Sequence, residues 1–188
     1  MTMSKTCHED AHWSIQVLDF WFKELTAKDW FRSSVELDRT IANRFNNVHQ
    51  QQAKISELAD DATPEQALAS VIVLDQFSRN MYRGNATAFA FDKQALQITK
   101  QAMQRDMHSN FNKEQKQFLF MPFMHAENAS DQATSLILFT ELGLGEHAVD
   151  HKDIIDRFGR FPHRNEVLGR KNTPEENEYL KDAKRFGQ

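Results

Sequence analysis

Cysteine is all but absent from this chain: Cys7 is the only one in 188 residues. No internal disulfide can form, so a reducing compartment is expected. Glycine and proline are scarce, at six and four copies, and tyrosine occurs only twice. Few glycines and prolines argue against a fold of many short strands and tight turns. Long apolar runs are missing too. The longest largely apolar stretch, 67–74, falls far short of the roughly 20 residues a spanning helix needs. The first thirteen residues lack the apolar centre of a secretory signal. A cytoplasmic protein with no membrane association is the resulting expectation. Positive charge is not in excess: 23 Lys and Arg face 27 Asp and Glu, a net charge of −4. General nucleic-acid binding, which calls for a basic surface, is therefore not expected.

Phenylalanine is abundant instead, with 15 copies. A chain of this length buries about 70% of its unfolded surface, so it needs no metal or disulfide staple. One domain over residues 1–188 is expected. Helix-start signals recur. Ser33-Ser34-Val35-Glu36, Thr63-Pro64-Glu65-Gln66, Asn112-Lys113-Glu114-Gln115 and Thr173-Pro174-Glu175-Glu176 each read as a capping box. Apolar residues behind them fall at helical spacing: Ile15, Leu18, Phe22 and Leu25; Ile41, Phe45 and Val48; Leu68, Val71 and Ile72; Phe118 and Met121; Ile154, Ile155 and Phe158. No stretch alternates as a strand would. Gly84-Asn85, Ser109-Asn110, Gly143-Leu144-Gly145 and the Gly159–Pro162 stretch separate the stripes. The pattern predicts an all-α single domain of seven to nine helices joined by short loops, arranged as helical hairpins.

Three groups of residues stand out. Continuing the Leu68–Ile72 stripe by helical steps reaches Asp75, Arg79 and Arg83. These lie at i, i+4 and i+8, on a face that should be buried. Buried charges are costly unless paired. They read either as a structural Asp75–Arg79 ion pair or as the floor of a charged pocket. The second group extends the Phe118–Met121 stripe to His125, with Pro122 expected to kink or restart the helix. His125 and Glu127 are two residues apart, about 200° around a helix, so they do not make a metal pair there. His125 reads as a hydrogen-bonded core histidine or as an acid/base group.

The third group is the segment 156–171, DRFGRFPHRNEVLGRK, where five cations face two carboxylates. Arg157, Arg160, Arg164 and Arg170 outnumber the single Lys171, and a guanidinium fork suits carboxylate or phosphate. Phe158, Phe161 and Leu168 can pin the segment to the core. It reads as a solvated basic loop or as an anion-binding loop.

These stretches carry a family resemblance. The run 17–22, VLDFWF, followed by Trp30-Phe31, resembles the opening of the bacterial domain-of-unknown-function 924 family. The stretch 74–84, LDQFSRNMYRG, is similar to its central motif, and 121–127, MPFMHAE, to its third. The stretch 157–165, RFGRFPHRN, with Leu168-Gly169-Arg170 and Thr173-Pro174-Glu175-Glu176, is similar to its fourth. The resemblance implies an all-helical, tetratricopeptide-like bundle and no particular activity. Ser78 stands where the family pattern has proline, and Ala126 where it has serine. Loss of a hydroxyl at 126 argues against a nucleophile there.

Two functions fit these readings. One is a site for an anionic small molecule, bearing phosphate or carboxylate and lined by Asp75, Arg79, Arg83, Glu127, Arg157, Arg160, Arg164, Asn165 and Arg170. His125 or His163 would then serve as acid or base, and neither metal nor cofactor is expected. The other is a tetratricopeptide-like module that takes an acidic peptide. A deep pocket of small-molecule size favours the first, and a long open groove the second.

Overall fold

A computed structural model describes residues 6–182, with side chains from His12 onward. The side chain of Cys7 lies outside them. Nine helices are described. Helix α1 is Thr6–Asp19, extended by a wider π-helical turn over Phe20–Glu24. A single turn, α2, spans Ala27–Trp30, and α3 spans Val35–Gln52. Helix α4 runs over 64–81 and contains a π-helical stretch at Ile72–Phe77 between Pro64–Val71 and Ser78–Met81. Then come α5 (Asp92–Gln104), α6 (Lys113–His125), α7 (Ala129–Glu141), α8 (Gly145–Phe158) and α9 (Pro174–Tyr179). No strand occurs among the described residues. Among the described residues, no helix is long and apolar enough to cross a membrane.

Local chemistry explains the helix starts. Thr63, Asn112 and Thr173 each accept from the N–H three residues on, and Gln66, Gln115 and Glu176 reach back to the cap. The start of α3 differs from expectation by one residue: Ser34, not Ser33, caps it by accepting from Leu37 N–H. Pro122 does not restart α6. The helix continues through it and stops three residues later at His125. Gly159 ends α8 with φ +68°, a left-handed geometry that glycine adopts without a Cβ penalty.

Packing places α4 at the centre. Every residue from Ala67 to Arg79 is buried. Phe77 meets Phe20, Phe45 and Trp21, while Phe118 of α6 meets Trp21 and Trp30 edge-on. This aromatic centre ties α1–α4 to α6. The later helices form neighbouring pairs across three-residue connections, 126–128 between α6 and α7 and 142–144 between α7 and α8. A smaller apolar cluster of Ile154, Ile155 and Phe161, with Phe158 and Tyr179 against it, anchors the segment after α8.

Candidate functional site

The π-helical stretch of α4 puts Asp75 and Gln76 into the core, and such irregular turns recur at functional sites. Asp75 is fully buried. Its Oδ1 lies 2.8 Å from His125 Nδ1, and its Oδ2 accepts from Gln76 Nε2 at 2.5 Å. Arg79, one turn on, lies 3.2 Å from Asp75 Oδ1 and also donates to the Asp75 carbonyl at 2.6 Å. The other end of its guanidinium reaches Asp92, at the first turn of α5, at 3.0 Å. Arg164 donates to the same Asp92 oxygen at 3.1 Å and lies between the rings of Phe89 and Phe161. Two buried arginines and two carboxylates thus form one cluster, drawn from helices α4 and α5 and the segment after α8.

Protonation states follow from these contacts. Burial alone would raise the Asp75 carboxyl, but the Arg79 charge and the His125 and Gln76 hydrogen bonds outweigh it and hold the group ionised. Burial, with the Arg79 charge beside it, lowers His125 to about 4 even though Asp75 opposes the shift. Burial likewise lowers His151 to about 4 and, with Arg164 adjacent, His163 to about 3. At neutral pH His125 is therefore uncharged. Its Nδ1–H donates to Asp75, which leaves Nε2 as the atom with a lone pair to offer. An imidazole held this way presents Nε2 as an acceptor, but burial and Arg79 make it a weak base.

A cavity of about 750 Å³ adjoins this cluster. Gln76, Arg79 and Asn80 of α4 and Arg83 just beyond it line it, as do Lys113, Glu114, Gln117, Met121, Met124 and His125 of α6. His147 and His151 of α8, Phe139, Leu144 and the segment from Trp30 to Ser33 complete the wall. Arg83 does not continue the Asp75–Arg79 pairing. It turns to Asp38 of α3, which it meets at 2.9 Å, and Asn80 donates to the same carboxylate.

The basic segment divides. Arg164 joins the buried cluster. Arg157 pairs with Glu175, Arg160 with Glu176, and Arg170 with Glu127, the last two through both carboxylate oxygens. Glu127 also accepts from Phe161 N–H, and the buried Asn165 donates to Asn172. Arg157, Arg160, Arg170, Glu127, Asn165 and His163 do not line the cavity. A surplus of arginine seeking an external anion is therefore not what this loop presents. Its acids come from positions 127, 175 and 176, outside the 156–171 stretch. Those residues hold the loop in shape and present Arg164 to Asp92.

Sequence reasoning passed over Asp38, Asp92, Arg32, Lys113, His147 and His151. His151 had a signal: it lies four residues from His147 on α8, one helical step along the same face. Of the two departures from the family pattern, Ser78 has found a partner, with its hydroxyl 2.8 Å from His49 Nε2 in the core. Ala126 caps the end of α6, where its carbonyl accepts from Gln132. No group of three or more His, Cys, Asp or Glu able to hold a metal occurs among the described residues.

No curated protein matches this chain. The solved structure of a protein of unknown function from Agrobacterium tumefaciens is similar, with 35% identity and a TM-score of 0.86 over 92% of this chain and 99% of that one. Residues 17–184 match the family described as bacterial protein of unknown function, DUF924. The chain belongs to that family.

Proposed function

We propose that this protein binds a small molecule bearing an anionic group in the cavity beside Asp75 and His125. One observation carries the reading: the wall holds Arg32, Arg79, Arg83 and Lys113 against the single carboxylate Glu114. Asp75, Asp92 and Asp38 balance Arg79 and Arg83, but they do not line the cavity. An anion in the cavity meets guanidinium and ammonium groups first and the carboxylates at greater distance. The size also fits, because ligand sites span roughly 300–1,000 Å³. A tetratricopeptide-like module taking an acidic peptide calls for a long open groove, and the observed volume supports a small-molecule site instead. Of His125 and His163, only His125 lines the cavity and is placed to act as a base on a bound ligand.

The test is a thermal-shift screen of phosphate, malonate, succinate, benzoate and octanoate at fixed ionic strength. A ligand at about 100 times its Kd stabilises by about 2.7 kcal/mol, which for a chain of this size is a rise of about 5–10 °C. Lys113→Gln and Arg32→Gln, both at exposed positions, should reduce the rise without unfolding the protein. No rise with any anion, or the same rise in both variants and the parent, would end the proposal.

A further inference from the structure

Helix α6 shows what the rest of the ligand should be. The residues it contributes to the cavity are Lys113, Glu114, Gln117, Met121, Met124 and His125. They recur at three or four positions and form one helical stripe. From Lys113 to His125 the stripe runs roughly 18 Å along the axis, at about 1.5 Å per residue. Exposure falls along it. Lys113 and Glu114 are exposed, Gln117 is half-buried, Met121 and Met124 are buried, and His125 is half-buried again. Along this stripe the cavity is most exposed at the first turn of α6 and most buried at Met121 and Met124.

Chemistry changes along the same line. Arg32 and Ser33 are exposed and line the same cavity as Lys113, so the open end is cationic. Farther in, Met121 and Met124 supply an apolar wall; Phe139 and Leu144 also line the cavity, and Trp30 and Phe31 add aromatic faces. Phe31 is 60% exposed although its ring stacks on Phe118 at 6.3 Å. An aromatic group left half in solvent at the lip of an apolar channel is a surface that a ligand's body would cover. Methionines suit such a wall, because an unbranched thioether adapts to the shape of its occupant.

The inner end offers few donors. Arg79 spends both terminal nitrogens on Asp75 and Asp92, and Gln76 spends its amide on Asp75. Arg83 is held by Asp38, so the cations left to receive a charged group are Arg32 and Lys113 at the rim. We infer that the occupant is an elongated amphipathic acid, a linear carboxylate whose head sits between Arg32 and Lys113 and whose apolar body runs inward past Trp30, Met121 and Met124. The inference rests on the anion-binding reading above and adds the ligand's class, length and direction.

Trp30 in the wall provides the signal. The full chain is titrated with acetate, butyrate, hexanoate, octanoate and decanoate, all below micelle formation, while tryptophan emission is followed. Inorganic phosphate, decyltrimethylammonium and 1-decanol are run beside them. Affinity should rise about four-fold for each buried methylene, as apolar burial predicts. Decanoate should bind more tightly than decanol and far more tightly than the decyl cation. Lys113→Gln and Arg32→Gln should each weaken decanoate by about two- to five-fold, as for an exposed ion pair, and leave decanol unchanged. Phosphate or acetate binding as tightly as decanoate would overturn the amphipathic ligand while leaving the anion site standing. The decyl cation binding as tightly as decanoate would overturn both readings. So would an absence of binding by every probe.

Discussion

Replacing Asp75 with alanine is expected to lower the melting temperature by about 6–20 °C. The carboxylate is fully buried and accepts from His125, Gln76 and Arg79 at once. Removing it leaves the Arg79 guanidinium nine-tenths buried with Asp92 as its remaining carboxylate, and that oxygen is already shared with Arg164. Breaking one side of a buried pair typically costs about 3–5 kcal/mol, chiefly because the other charge is stranded. A chain of this size loses about 2–4 °C per kcal/mol. Asp75→Asn should fall between parent and alanine, since its side-chain oxygen still accepts from His125 Nδ1. Differential scanning calorimetry at pH 7 decides the matter. A change of less than about 2 °C in Asp75→Ala would mean that the cluster contributes no net stability.

This cluster marks how far the sequence could be read. The step from Leu68 and Ile72 to Asp75 and Arg79 is a matter of helical geometry alone, and the ion pair lies where that geometry puts it. Three of four expected capping boxes form at the residues that signal them, because a cap is a contact three residues long. Arg83 would share that face only if the helix continued to it; the helix ends at Met81, and Asp38, 45 residues upstream, takes the guanidinium. No local pattern carries that information.

The partners of the basic segment were hidden for the same reason. Counting charge from 156 to 171 shows an excess of cations, but Glu127, Glu175 and Glu176 arrive from outside the window. Local charge is a guide to surface potential only when the neighbours in space are also neighbours in sequence. The cavity itself shows the limit most plainly. Trp30 to Ser33, the stripe on α6 and the His147–His151 pair come from three separate regions of the chain, and only the folded packing gives them a common wall. Arg32 and Lys113 carry the ligand proposals, yet in the sequence each is an ordinary surface cation.

Mild acid should destabilise the protein well before its carboxylates titrate. His125 and His151 are lowered to about 4 and His163 to about 3. Burial is the first cause in all three. Arg79 faces His125 with Asp75 and Asp92 opposing it; Arg164 and His147 face His151 with Asp150 opposing; Arg164, His151 and His125 face His163 with Glu127 opposing. In the unfolded chain each takes up its proton near pH 6.5. Between that pH and about 4 the unfolded state therefore binds more protons than the folded one, and stability falls as pH falls. Each histidine contributes a slope of up to about 1.4 kcal/mol per pH unit, so three acting together give about 4 kcal/mol per unit near pH 5. Asp75 and Glu176 are depressed carboxylates. Their contribution is present above the ordinary carboxylate range and is lost only at lower pH, which sets a second and more acidic window. Urea unfolding at half-unit steps from pH 7 to 5 measures the first window alone. Stability should decline steeply across it, with the buried His49, also lowered by desolvation, adding to the slope, and His151→Gln and His163→Gln should each make the decline shallower. A flat profile between pH 7 and 5 in the parent would show that these imidazoles take up protons as freely in the folded protein as in the unfolded chain.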